Sequence, residues 1–253
     1  TFHVCYGVLF KTLCLEIEMQ TNINKKSALI IATVSSFLSA FMGSSINIAL
    51  PDIEKTFSMD AIVLGWIATS YLLTAAIFLV PFGRLADIYG RKRIYTIGIF
   101  IFTLSSILSA LSFSSASIIA FRVIQGIGSA MIFSTSTAIL TSVFTAGERG
   151  RAFGISVAAT YIGLSIGPFL GGLMTEYLGW RSIFWFTVPI GLLLICLVTL
   201  LLKGEWAEAK NEKFDYLGSI IMSVSLIAIM SGMSMLPNVY GFLMIVIGIM
   251  ALI

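Results

Sequence analysis

Charge is scarce in this sequence: Asp, Glu, Lys and Arg together make up 11% of 253 residues. A water-soluble domain carries roughly a quarter of its residues as charges. With 58% apolar residues and a mean hydropathy of +1.02, this chain has no means of covering its apolar surface in water. Histidine occurs once, at His3, and the three cysteines, Cys5, Cys14 and Cys196, have neither C-x-x-C nor metal-ligand spacing. A disulfide scaffold and a zinc or haem site are thereby disfavoured. No Lys/Arg-rich run interleaved with aromatics stands apart, which argues against nucleic acid as a partner.

What is present is a series of long apolar runs. A helix needs about 20 apolar residues to cross a bilayer core. Eight acid-free stretches approach that length: 28–50, 61–82, 94–113, 117–144, 152–173, 183–202, 217–236 and 239–253. They are continuous rather than alternating, so they predict helices and not barrel strands. The expected fold class is all-α, a polytopic membrane helical bundle with the lipid bilayer as its solvent. With the N-terminus inside, the inner segments hold Lys25, Lys26, Arg84, Arg91, Lys92, Arg93, Arg149, Arg151, Lys203, Lys210 and Lys213, and the outer ones only Lys55 and Arg181. Eleven against two predicts a multi-pass protein of the cell (plasma) membrane with a cytoplasmic N-terminus.

The organisation follows from these runs. Residues 1–27 are an N-terminal cytoplasmic leader, in which Met19-Gln20-Thr21-Asn22 before Lys25 and Lys26 has the look of an ordinary start. Residues 1–18 are therefore expected to lie outside the native fold, and they lack the basic n-region and A-x-A site of a signal peptide. Residues 28–202 form a six-helix bundle, 203–216 a charged cytoplasmic connector, and 217–253 two further spans. The last run holds only 15 residues, which leaves a terminal carboxylate at membrane depth, a costly arrangement. Truncation is the expectation.

Within this frame a few polar and glycine patterns stand out. The second and third runs are joined by Gly83-Arg84-Leu85-Ala86-Asp87-Ile88-Tyr89-Gly90-Arg91-Lys92-Arg93, read as a short inner loop whose glycines permit a tight turn. Asp87 and Arg91 are four apart and positioned to pair. Anchoring to anionic headgroups accounts for Arg91, Lys92 and Arg93, but not for Asp87 or the glycine spacing. The fourth run carries Arg122, with Gln125 on the same face and Gly126 beside it. An ionisable residue inside a span marks function by default; the alternative is snorkelling to the near interface, about 8 Å away. In the fifth run Gly163, Gly167 and Gly171 form a stripe at i+4 spacing, with Gly172 following. Such a stripe lets two backbones touch, and Pro168 removes an internal hydrogen bond and bends the helix.

These patterns resemble the major facilitator superfamily. Gly83, Leu85, Asp87, Gly90, Arg91 and Lys92 match its G-x-L-a-D-r-x-G-r-k loop signature, with Ile88 in place of a basic residue. The resemblance implies a conformational latch. Arg122, Gln125 and Gly126 are similar to its R-x-x-Q-G-x-G-x-A signature, which implies a role in proton or substrate coupling. Gly163, Gly167, Pro168, Gly171 and Gly172 resemble the antiporter signature of its exporters, and Gly179-Trp180-Arg181 through Trp185 the G-W-R-x-x-F turn that follows, although Trp180 and Trp185 also suit a membrane interface. Asn47-Ile48-Ala49-Leu50-Pro51 is similar to an N-V-A-L-P signature of the drug-exporting branch, which makes Asn47 a cavity candidate; Met42 stands where that branch commonly has an aspartate. Phe214-Asp215-Tyr216-Leu217-Gly218 resembles the start of a seventh helix in fourteen-span drug:proton antiporters.

The function implied is secondary active, proton-coupled efflux of drugs or other amphipathic molecules by alternating access, with no cofactor beyond the proton gradient. Its partners are the bilayer, protons, a small-molecule substrate and a missing C-terminal half of the same transporter. Three alternatives stand beside it: a metabolite uptake symporter, a polytopic membrane enzyme, and an inactive transporter fragment. The chain offers no clustered His, Cys or paired carboxylates for the enzyme reading, so no catalytic or metal-binding residue is assigned.

Overall fold

The computed structural model describes residues 2–202, 204–207, 209, 212 and 214–252, with side chains from Lys25 onward except those of Ser234 and Leu252. Lys203, Lys210 and Lys213 of the connector, the chain ends Thr1 and Ile253, and the side chains of His3, Cys5 and Cys14 lie outside the described residues. The described residues form eight helices: α1 (Phe2–Phe57), α2 (Ala61–Tyr89), α3 (Arg91–Ala110), α4 (Ser115–Val143), α5 (Ala146–Leu178), α6 (Arg181–Leu201), α7 (Tyr216–Ser234) and α8 (Val239–Leu252). In hydrocarbon every backbone N–H and C=O must find its partner within the protein, and a helix satisfies them all within one segment. Seven of these helices are long and apolar enough to cross a membrane, the first over Lys25–Phe57, while α8 is apolar over the shorter Val239–Ala251.

Helix ends follow local chemistry. Asp60 Oδ1 accepts from Val63 N at 2.7 Å to start α2, Ser114 and Ser117 exchange capping bonds to start α4, and Asp215 Oδ1 accepts from Gly218 N at 2.9 Å to start α7. At the other end of α3, Arg181 Nε and Nη2 donate to the carbonyls of Ala110 and Ser112 at 3.1 and 3.0 Å, satisfying acceptors that the helix leaves open.

The helices outrun the apolar stretches, with one consequence for the signature between the second and third runs. It is not a loop. α2 continues through Asp87 to Tyr89 and α3 begins at Arg91, so Gly90, with φ +110°, is the one break between them. Polar side chains at a bilayer surface do not end a helix whose backbone bonds remain satisfied; the break comes only where an L-residue would be strained.

α1 packs mainly along α5, α4 lies between α2 and α3, and α6 bridges α3 and α1. Among the described helices α8 touches only α7, and α7 reaches the bundle only through α2. The end where α1 carries Lys25, α2 meets α3 and α4 meets α5 is called here the basic end. The core holds Phe41, Phe102, Phe184 and Tyr95 fully buried, and the largest fully buried side chain is that of Arg122. Tyr95 ties α3 to α1, donating to Ser35 Oγ at 2.6 Å. Trp180 also turns inward: it is buried against Phe57 and Phe184, and its indole N–H donates to Thr56 Oγ1 at 3.1 Å, so of the two tryptophans read as interface anchors only Trp185 is exposed.

Candidate functional site

The polar centre of the bundle forms around Arg122, seven residues into α4. Its side chain does not snorkel; it has no exposed surface. Nε donates to the Ile67 carbonyl of α2 at 3.0 Å, and Nη1 donates to Gln125 Oε1 at 2.5 Å. Gln125 passes the link on, its Nε2 donating to Ser106 Oγ of α3 at 2.7 Å. The guanidinium carbon lies 4.2 Å from the centre of the Tyr71 ring, a cation–π distance. Tyr71 is itself fixed by a 2.8 Å hydrogen bond with Ser129 Oγ and a 3.2 Å bond to the Ser39 carbonyl.

Gly126 makes this seating possible. A Cβ there would lie 2.6 Å from the Tyr71 carbonyl oxygen and 3.3 Å from Ala75 N, so only glycine lets α4 approach α2 this closely. Arg122, one turn away, thereby reaches the α2 backbone. What the cluster lacks is a carboxylate: among the described residues none of the ion pairs involves Arg122, and its Nη2 has no hydrogen-bond partner. The positive charge is compensated only by carbonyl and amide dipoles and a π face. A buried ion of that kind is expensive and responds strongly to any nearby charge.

The second element is the α5–α1 contact. A Cβ on Gly163 would stand 2.7 Å from the Phe37 carbonyl oxygen, and one on Gly171 would stand 2.7 Å from Ser45 Cβ. Gly167 faces Ser44, whose hydroxyl donates to the carbonyls of Phe41 and Gly163, both at 3.2 Å. The two backbones touch along three successive turns. Gly172 is different, because a Cβ there would meet Ile48 at an ordinary 3.5 Å. Pro168 lies inside the uninterrupted α5.

The third element is the α2–α3 signature. Asp87 Oδ1 accepts from Arg91 Nε at 2.9 Å and lies 2.7 Å from Nη2. Arg91 continues to α4, where Nη1 donates to the Ala138 carbonyl at 3.3 Å and to Ser142 Oγ. Lys92 Nζ donates to the Leu202 carbonyl at the end of α6. Gly83 is not a close-approach glycine, since a Cβ there would meet Ser134 at an ordinary 3.6 Å.

With this geometry in view, comparison with known proteins is decisive on one point. The model of the Major Facilitator Superfamily matches residues 32–253. This chain belongs to that superfamily. It is similar to the riboflavin transporter RibZ of Clostridioides difficile (strain 630), 34% identical over 225 residues that cover 89% of this chain and 48% of the relative. It is similar to the multidrug resistance protein Stp of Mycobacterium tuberculosis (strain CDC 1551 / Oshkosh), 39% identical over 198 residues, 78% of this chain and 37% of the relative. A third relative is the cephamycin export protein CmcT of Amycolatopsis lactamdurans, 36% identical over 213 residues, 82% of this chain and 43% of the relative. The chain thus spans about half the length of these relatives, or less.

In this facilitator-superfamily chain, Arg122, Gln125 and Gly126 come together as one cluster, whereas Asn47 is exposed on α1 and takes no part in the hydrogen bonds of that cluster. Met42, at the position of the expected aspartate, is fully buried. Sequence reasoning missed Tyr71, Ser106 and the Ile67 carbonyl, all of which touch the cluster. Tyr71 carried one signal, as an aromatic residue with a hydroxyl in the middle of an apolar run, where a buried hydroxyl needs a partner.

Proposed function

We propose that this chain is the N-terminal part of a proton-coupled exporter of drugs or other amphipathic small molecules, working by alternating access in the fourteen-span branch of its superfamily. The observation that carries the reading is the α5–α1 contact: Gly163, Gly167 and Gly171 bring the helices to backbone contact, while Tyr161, Phe169 and Tyr177 of α5 remain exposed. A rigid α1–α5 pair with an uncovered apolar face suits a half-transporter that closes against a second half. The names of two relatives, one for multidrug resistance and one for cephamycin export, support the same direction.

In this reading residues 28–202 are the N-terminal bundle, 203–216 a cytoplasmic connector and 217–253 an added helix pair, with the N-terminus cytoplasmic in the plasma membrane. The missing C-terminal half supplies the other wall of the cavity. Gly83, Asp87, Gly90, Arg91 and Lys92 form the latch at the basic end. Arg122, held by Gln125 and seated by Gly126, senses the charge of protons or substrate, and Pro168 and Gly172 shape the outer half of α5. Asn47 lines the cavity. The proton-carrying carboxylate is assigned to the second half.

A second reading, a carrier of a metabolite, is favoured by the relative named as a riboflavin transporter. The test is dye and antibiotic efflux by the complete transporter in a pump-deficient host. Gly167→Leu abolishes efflux at unchanged membrane abundance, whereas Gly147→Ala, where a Cβ meets nothing within 4 Å, leaves it intact. Undiminished efflux by Gly167→Leu sinks the exporter reading; riboflavin accumulation without drug efflux selects the other.

A further inference from the structure

The segment after α6 is bound to the α2–α3 break at several points. We infer that Glu205 of this connector is a positioning residue for the latch, fixing the first turn of α3 and, through it, Arg91 and Asp87. The inference rests on the exporter reading and adds to it a residue outside the signature.

α3 begins badly on its own terms. Its N-cap, Gly90, offers no side-chain cap, and its first three residues are Arg91, Lys92 and Arg93. Cations at a helix N-terminus face the positive end of the backbone dipole, and the first N–H groups need acceptors. Glu205 meets both needs from 113 residues away in sequence: its Oε1 accepts from Lys92 N at 2.8 Å and from Arg93 N at 3.4 Å. The neighbouring N–H of Arg91 donates to the Trp206 carbonyl at 2.8 Å. Gly90 leaves room for this, since a Cβ there would sit 2.8 Å from Glu205 Cγ, so its positive φ is not its only reason to be glycine.

The connector also holds the other side of the break. Ala209 N donates to the Asp87 carbonyl at 3.0 Å, and Glu212 pairs with Arg84 one turn earlier on α2. Glu205 therefore sits in a continuous path from connector to α3 to the Arg91 contacts with Asp87 and with α4. The same segment runs directly into α7. A displacement of α7 or of the connector moves the latch residues, and the Glu205 carboxylate is the contact that transmits it.

The experiment uses the complete transporter with Cys5, Cys14 and Cys196 replaced by serine. Val157→Cys or Tyr177→Cys is then introduced singly, at exposed positions, the first about a third of the way along α5 from the basic end and the second in its last turn. The readout is the rate of labelling by a membrane-impermeant maleimide, with melting temperature measured alongside. Glu205→Gln raises labelling at position 157 about fivefold and lowers it at 177, the shift expected from removing the anion at a helix N-terminus, with cooperative melting retained. Glu205→Asp recovers part of the shift, and Glu212→Gln gives a smaller one in the same direction. Unchanged labelling, or a fall at 157, overturns the inference. Should Glu205→Gln not fold, Glu212→Gln decides, and no shift there overturns it as well. If the parent protein shows no change in labelling at either position when substrate or pH is varied, alternating access itself fails and the inference falls with it.

Discussion

Arg91 and Arg122 are buried to nearly the same degree, at 5% and 0% exposure, yet their charges are met in opposite ways. Arg91, at the basic end, has a carboxylate partner four residues away in Asp87 and further acceptors on α4. Arg122, inside the bundle, has carbonyl and amide oxygens and the Tyr71 ring, but no anion among the described residues. A neutralised pair braces helix ends against one another and has little field left to exert. An uncompensated cation in a low-dielectric interior keeps its field, so any negative group or proton arriving nearby changes its energy. In the proposed reading one arginine holds and the other senses.

The sharpest way to break this comparison is Arg122→Met in the complete transporter. Export falls to background while thermal stability changes little, because removing an uncompensated buried ion offsets leaving Gln125 Oε1 without its donor. If Arg122 were a brace like Arg91, stability and export would fall together. Next in size is Asp87→Asn, which strips the anion from a buried Arg91. Asp87 is 31% exposed, so the cost is discounted for solvent to about 2 kcal/mol, read by denaturation in detergent. The double variant Asp87→Asn/Arg91→Gln recovers part of that loss, and failure to recover any would mean that the pair is not a unit. The smallest effect is that of Tyr71→Phe. It keeps the π face over Arg122 and removes only the hydroxyl, costing about 1 kcal/mol in melting experiments with export retained; loss of export would shift the sensing role toward the Tyr71–Ser129 bond.

Local relations were legible before any fold was known. The Arg122–Gln125 spacing of three places that pair on one helix face, Asp87 and Arg91 four apart are positioned to pair across the turn at Gly90, and both bonds form. The α5 glycine stripe announced a close helix contact, and it is found against α1. One reading failed and two alternatives fell away, each for a physical reason. Gly83 to Tyr89 looked like a loop because it is polar, but polarity does not break a helix at a bilayer surface. Snorkelling, the alternative to a functional role for Arg122, rested on distance alone, whereas the position on α4 turns the side chain toward α2. The lipid interface was the alternative account of Trp180, because aromatics gather there, yet it faces Phe57, Phe184 and Thr56.

Hydropathy alone determined that the chain crosses a membrane as helices, because lipid leaves no other way to satisfy a backbone over twenty apolar residues. Partners distant in sequence were decided only in three dimensions: Tyr71 over Arg122, Ser106 behind Gln125, and Glu205 on the first turn of α3. Helical periodicity specifies what shares a face over a few residues. Which faces meet depends on how all the helices pack at once, and no local pattern encodes that.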